Sequence, residues 1–434
     1  MLPAACQDKR GASQGGTVMN PQATLDYTTS IQEIAEQSYQ EKNCESITAG
    51  LKTVINSLVD SEFRRELIGT KRRLSAGYLM EHLWKSYLLS FILNMDCTND
   101  LIRKLEENSN FAEICGFNMD APLPSRWTFD RLISILTHHP EMIERLIHNA
   151  VDQLKEKLPE FGVTVAIDST PVKSHSNPHR KELSDSEAGF IVKEGLSQKV
   201  WKFGYKLHIL SDTTWELPIT CEVTSSKESD TTNLIPLIEK ARNRFTWFKP
   251  WHVVADKGYD AGYNYKAIND IGATPIIKMI MRTKSSMDVE NRYTIDESGI
   301  PHCKAGVALL LKDRNKKTGM RYVCPHRAGR YECPLAKECN IKVARIAPFY
   351  EYRKSCSIPR DSEEWNAIYD HRTSIERVNS RLKESRRLNS HCHRGLAKVR
   401  IHSLMSVLSL LVTALAEANT GNLDRVRTCT RMIG

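Results

Sequence analysis

The 434-residue chain predicts an α/β protein: a mixed sheet preceded by an α-helical N-terminal domain and interrupted by a β-rich insertion. Three observations carry this reading. Apolar residues recur at three- and four-residue spacing in segments of residues 22–160. Short β-branched and apolar runs then alternate with helical patterns from Val163 to Lys278. Between residues 281 and 360 both rhythms give way to short β-like pieces set among turn residues, and helical spacing resumes at Ser362.

Residues 1–21 contain no apolar run long enough for a signal peptide or membrane anchor and read as a flexible leader. Over 22–160, segments 47–67, 77–93 and 127–136 have amphipathic helical spacing, with breaks at Pro122, Pro124 and Pro140. Residues 163–167 are a β-branched run ending at Asp168, which predicts a buried strand. FGYKLHIL (203–210) and LPITCEV (217–223) predict two more, separated by a turn. A helix over 233–244 leads to a strand at 251–255 that ends at Asp256. A helix at 262–271 and a strand at 274–278 follow. From Ser362 the pattern is helical to about 418. Within it, the apolar stretch 404–416, thirteen residues interrupted by serines, is too short to span a bilayer, so a buried core helix is expected. Residues 421–434 form a tail.

Hydrophobic residues make up 41% and charged residues 26%, which excludes a disordered tail protein and a small disulfide scaffold. The net charge of +9 is unevenly placed. Residues 1–300 hold 35 basic and 40 acidic side chains, whereas 301–400 hold 23 basic against 10 acidic. A concentrated basic block points to a polyanion, most often nucleic acid. Its helical part, from Arg372 to Arg400, carries nine Lys and Arg against two acids.

Asp168 and Asp256 each end an apolar strand and precede a polar segment, and the carboxyl ends of strands are where α/β sheets build their sites. Two aspartates brought together there repel unless a cation lies between them, and magnesium or manganese suits such oxygen ligands. A third carboxylate comes from a polar stripe. Tyr369, Arg372, Glu376 and Lys383 fall within about 60° of one another on a helix of roughly 100° per residue. Ile368, Ile375, Val378 and Leu382 gather on an adjoining face, so the stripe borders the buried side. Taken singly, each Asp also suits a turn or helix cap, and the stripe also suits a solvated face with intrahelical ion pairs.

The array Tyr369-x2-Arg372-x3-Glu376-x6-Lys383 matches in every interval the Y-R-E-K signature of a large group of bacterial insertion-sequence transposases. IDST (167–170) and ADKGYD (255–260) resemble the segments carrying that family's first and second catalytic aspartates, and FGYKLHI (203–209) its second-strand motif. RRELIGTKRRLSAGYLMEHLWKSYLL and PSRWTFDRLISIL are similar to the helical domain preceding the core, so the likeness covers roughly residues 45–420.

The resemblance implies a DDE transposase with a ribonuclease-H-like catalytic domain over 161–420, its β-rich insertion at about 281–360, and DNA binding by the helices of 22–160. Asp168, Asp256 and Glu376 would hold two Mg2+ or Mn2+ ions. Arg372 and Lys383 would hold phosphates, with Tyr369 packed beside the scissile bond. Arg377, Arg381, Lys206, His208 and Lys257 are further candidates for DNA contact, as are Arg386 and Arg387 of the basic run. Arg64, Arg65, Lys71, Arg72 and Arg73 are candidates in the N-terminal region. The implied partners are double-stranded DNA, as terminal inverted repeats and target, and a second copy of the chain when two ends are paired. The implied setting is the prokaryotic cytoplasm and nucleoid, away from membranes. The implied activity is cleavage and strand transfer in cut-and-paste transposition. A domesticated, non-catalytic DNA-binding protein and a structure-specific nuclease on the same fold are the alternatives, and the complete triad speaks against the first.

Twelve cysteines are present, five of them at Cys303, Cys324, Cys333, Cys339 and Cys356. With no export signal read, disulfides are not expected. Cys324-x8-Cys333-x5-Cys339 lacks the tight C-x-x-C knuckle of strong zinc sites, and His302 and His326 lie nearby. The spacing leaves open a structural zinc or no metal.

Overall fold

The computed structural model describes residues 79–194, 199–280, 293–295, 300–315, 319–339, 342–346 and 362–428, with a few single positions before 79 and between 352 and 360. The leader 1–21, most of 47–67, Arg64, Lys71, Arg72, Arg73, Cys356 and the end of the tail lie outside them. The chain divides into two units, and every element below belongs to the larger, residues 51–432.

Ahead of the sheet lie α1 (Met80–Ile92), α2 (Thr98–Glu107), α3 (Ser109–Cys115), α4 (Arg126–His138) and α5 (Pro140–Lys157). Their ends follow local chemistry. The Asn108 side chain accepts from Phe111 N at 2.8 Å to cap α3, and Gly116 closes it in the left-handed region. Pro140, expected as a break, opens α5 from its first turn, where a missing N–H costs nothing.

The sheet contains β1 (Thr164–Lys173), β2 (Gly189–Glu194), β3 (Lys199–Asp212), β4 (Pro218–Ser225), β5 (His252–Ala255) and β6 (Thr274–Ile277). β3 lies antiparallel to both β4 and β1, while β1–β5 and β5–β6 are parallel; β2 extends the outer half of β3. Helices α6 (Leu234–Arg244) and α7 (Gly262–Asp270) precede β5 and β6. This mixed sheet fits a nuclease-like core. Two strand expectations are corrected. β1 continues five residues past Asp168 because β3 stays paired with it as far as Lys173↔Gly204. β2 was not legible, since its partner on β3 is what makes it a strand. The close approach of β3 to β1 explains Gly204 in FGYKLHI: a Cβ there would lie 2.1 Å from the Val172 carbonyl oxygen.

The insertion forms two small sheets, β7 (Tyr293–Ile295) with β8 (Pro301–Cys303), and β9 (Leu310–Asn315), β10 (Gly319–Val323) and β11 (Val343–Ile346). Beyond it come α8 (Glu363–Asp370), α9 (Thr373–Ser385), α10 (Leu396–Asn419) and the short α11 (Leu423–Val426).

The apolar stretch 404–416 lies within α10, whose apolar window is 94% buried inside the protein. By length and composition α10 would suit a membrane span, but here it is the central core helix, packed against α1, α4, α5 and β4. The boundary expected near residue 160 therefore separates helices from sheet in the sequence but not in packing. The serines that interrupt the apolar run have work within the core. Ser406 Oγ donates to the Arg386 carbonyl, Thr413 Oγ1 accepts from Arg386 Nη2 at 3.1 Å, and a His402 Nε2–H reaches the Arg387 carbonyl at 2.7 Å. Arg386 and Arg387, expected as phosphate contacts, are 1% and 4% exposed. Arg387 donates to Ser90 Oγ at 2.5 Å and lies 4.6 Å from the Phe91 ring, so both arginines join α9 to α1 and α10 and are corrected to structural roles.

Candidate active site

Parallel pairing places the two aspartates together. The last paired residues of β1 and β5 are Ile167 and Ala255; Asp168 follows within β1 and Asp256 directly after β5. Adjacent strands are about 4.8 Å apart, so the carboxylates emerge side by side at one point on the sheet. Asp256 also caps the 3-10 turn Lys257–Tyr259, with Oδ1 accepting from Gly258 N at 2.6 Å. Gly258 leaves room for that fold-over: a Cβ there would stand 2.8 Å from Asp256 Oδ1, so the carboxylate would have to shift.

Glu376 reaches the same region from α9, which packs on β1. One turn further along, Asn379 Nδ2 donates to Asp168 Oδ2 at 3.1 Å, fixing the helix to the aspartate. Glu376 is 55% exposed and accepts from Arg372 Nη1 at 2.7 Å. The stripe expected on one helix is split: α8 ends at Asp370, α9 begins at Thr373, and Arg372 lies between them. The N–H groups of His371, Arg372, Ser374 and Ile375 donate three residues back, a tight 3-10 passage. The kink lets α8 follow β5 and β6 while α9 follows β1.

Tyr369 stacks on Trp365 with ring centroids 4.8 Å apart at 12°, and Lys278 Nζ and the Arg372 guanidinium lie 6.0 Å from its centroid. Electrostatics show how closely these groups share one field. Burial pushes the Tyr259 hydroxyl well above its ordinary pKa, and Asp168, Asp230 and Asp256 push it further. Tyr369 is raised by burial against Arg372, with Asp256 and Glu376 adding to the rise. Burial opposes charge on Arg372, but Glu376, Tyr369 and Asp168 outweigh it and hold its pKa up.

Asp230, in the 3-10 turn Asp230–Asn233, and Asn379 were not anticipated. Asn379 lies three residues after Glu376, a spacing that carries no signal until Asp168 is known as its partner. Asp230 carried no periodic signal.

The other candidates divide. Lys257 is exposed beside Asp256, and Lys383 is half-buried on the Glu376 face. Lys206 Nζ is engaged with Asp230 at 2.9 Å and the Glu228 carbonyl at 2.8 Å, at the rim of the site. His208 is corrected: it is wholly buried, Nε2 bonds Thr224 Oγ1 at 2.9 Å, and burial pushes its pKa down to about 4. It does not reach DNA. Arg377 and Arg381 are also corrected. Arg377 Nε pairs with Glu216 at 2.7 Å, and the buried Arg381 donates to the Glu216 and Arg427 carbonyls. Arg427 pairs with the same Glu216 carboxylate at 2.7 Å. These arginines tie α9 and the C-terminal segment to the β3–β4 turn, on the side of α9 turned away from Glu376.

A second electropositive feature lies beyond the end of β1. A cavity of about 320 Å3 is lined by Lys173, Ser174, His175, Ser176, Asn177, Arg180, Ser184 and Arg394, with no carboxylate among them.

The donor set fits a hard divalent cation: carboxylate oxygens from β1, β5 and α9, with the field of Asp168, Asp230 and Asp256 converging on Tyr259. Among the described residues no three His, Cys, Asp or Glu side chains already stand gathered to grip an ion. Glu376 is paired with Arg372 at 2.7 Å.

Comparison with known proteins gives a family for this arrangement. The family model described as Transposase DDE domain matches residues 159–412, a span that contains Asp168, Asp256 and Glu376. No curated protein matches the chain. Among solved structures, a cryo-EM structure of a piggyBac transposase synaptic complex with hairpin DNA aligns over 88% of this chain and 77% of that one, at 11% identity and a TM-score of 0.39.

Proposed function

From the premise that the chain belongs to the Transposase DDE domain family of DNA-cleaving, metal-dependent enzymes, we propose that it is the transposase of a prokaryotic insertion sequence in the Y-R-E-K group. It binds the inverted repeats at the element's ends and moves the element by strand cleavage and strand transfer. The observation that carries this reading is the convergence of Asp168 and Asp256 from paired strands with Glu376 from α9, under Arg372 and Tyr369.

Asp168, Asp256 and Glu376 would hold two divalent ions, Mg2+ or Mn2+, which supply activation of an attacking oxygen and stabilisation of the leaving one. The protein's own groups position and neutralise, as phosphoryl transfer chiefly requires. Asn379 holds the Asp168 carboxylate in one orientation. Arg372, beside Glu376, would offer its guanidinium to a phosphate at the site. Tyr369, braced on Trp365, presents a face beside it. Lys383 and Lys257 flank the scissile region, and Lys206 holds the Asp230 rim. The basic cavity around Lys173, Arg180 and Arg394 continues the phosphate path away from the cleaved bond. The helices of 22–160 contribute end binding, and a second copy of the chain joins when two ends are paired.

The test is incubation of the full chain with Mg2+ and duplexes carrying the inverted repeats that flank its gene. Nicked and joined products are expected, lost in Asp168→Asn while gel-shift binding persists. Binding without any cleavage by the wild-type protein would mark a non-catalytic DNA-binding protein. Cleavage that ignores the end sequence and yields no joined product would mark a nuclease.

A further inference from the structure

The cysteines of the insertion converge in space although their sequence spacing does not announce it. Cys303 ends β8, Cys324 follows β10, and Cys333 and Cys339 lie in the connection to β11. All four line one cavity of about 260 Å3. Three are carried at tight turns: Gly306 N donates to the Cys303 carbonyl at 2.8 Å, Ala328 N to Cys324 at 3.1 Å, and Ala336 N to Cys333 at 3.1 Å. None of the four is in a disulfide.

The surrounding module has reason to need a fastening. Among the described residues its hydrophobic core comprises Tyr293, Leu309, Tyr322, Cys324, Ala344 and Ile346, with Cys303 and Cys339 packed against them. Cores this small are commonly held by disulfides or a structural metal. Lys304 and Arg327 line the same cavity and place positive charge beside the thiols.

We propose that Cys303, Cys324, Cys333 and Cys339 bind a structural Zn2+ that fastens the insertion. Four thiolates complete its tetrahedron at Zn–S distances of about 2.3 Å. Each thiol gives up its proton on binding, and the resulting double negative charge is offset by Lys304 and Arg327. His326 is not needed: its ring is exposed and its Nδ1–H donates to the Tyr331 carbonyl at 3.0 Å. Among the described residues the side chains are not already gathered around an ion position, so binding draws the thiols inward across the cavity. The proposal rests on the insertion alone and is independent of the proposed activity.

The full chain, purified in reducing buffer without chelator, is expected to contain about one zinc per molecule by plasma mass spectrometry. Cys324→Ser and Cys333→Ser each lower that content several-fold, while Cys392→Ser, at an exposed cysteine elsewhere, and Asp168→Asn leave it unchanged. Cobalt in place of zinc gives the wild-type protein the visible bands and thiolate charge-transfer absorption of a tetrahedral sulfur site, a readout that needs no variant to fold. A zinc-supplemented wild-type protein with less than about one zinc per ten chains and no tetrahedral cobalt spectrum overturns the proposal. So does zinc that survives both serine variants.

Discussion

At the residue scale, the aspartates on paired strands differ in what holds them. Asp168 is oriented from α9 by Asn379, and Asp256 by the backbone of its own turn. Removing a group that orients a metal-ligating carboxylate typically costs about 10–100-fold in metal affinity or activity. Asn379→Ala is therefore expected to lower Mg2+-dependent cleavage by about that factor with DNA binding intact, and to raise the Mg2+ concentration needed for half activity. A cleavage rate unchanged at limiting Mg2+ would remove Asn379 from the site. Gly258→Ala should act the same way through Asp256, because its Cβ meets Oδ1 at 2.8 Å. The aspartates were legible because each follows an apolar strand. Asn379 was overlooked because an amide announces nothing until its partner, 211 residues away, is known.

At the level of elements, α9 has two faces with different work. Glu376 and Asn379 face the site, while Arg377 and Arg381, rotated by about 100° to 160° from them, hold Glu216. Glu216 is 3% exposed, and its carboxylate accepts from Arg377 and Arg427 at 2.7 Å. Replacing Glu216 by Ala leaves the buried Arg381 without its counter-charge, and breaking a buried pair this way costs about 3–5 kcal/mol. Arg377→Ala, at a side chain that is 52% exposed, should cost less than about 1 kcal/mol. Urea denaturation of both variants checks the contrast, and equal losses would contradict it. Positive charge on this stretch read from sequence as one DNA-facing surface. Its helical phase was legible, but which phase faces substrate was not, because the opposing carboxylate comes from the β3–β4 turn.

Across the whole molecule, the loop between α9 and α10 brings His391 and His393 against His402 of the core helix. The ring centroids of His391, His393 and His402 lie 4.7 to 5.6 Å apart. Burial lowers His391 to about 4 and His393 to about 3, and puts His402 well below its ordinary value; Arg387, Lys398 and His175 are the nearby cationic or titratable groups that add to the effect. These groups bind protons more readily unfolded than folded. Their contribution to stability is therefore complete above an unfolded pKa of about 6.5 and falls as pH drops from there toward 4 and 3. The melting temperature is expected to decline over pH 6.5 to 4, with a shallower slope in a His391→Gln, His393→Gln double variant. Parallel slopes would show that the cluster does not set the acid sensitivity.

The sequence by itself determined the α/β class, most strand and helix positions in the core, the buried character of α10 and the three candidate carboxylates. Periodicity, β-branched runs and spaced motifs are properties of neighbouring residues, so a linear reading can find them. Only the tertiary structure decided that Arg377, Arg381, Arg386 and Arg387 are engaged within the fold, that β1 runs past Asp168, that the stripe bends at Arg372, and that scattered cysteines share one cavity. Each of those depends on a partner far along the chain. Glu216 lies 161 residues from Arg377, and no local pattern reports whether a charge has met its opposite inside the fold.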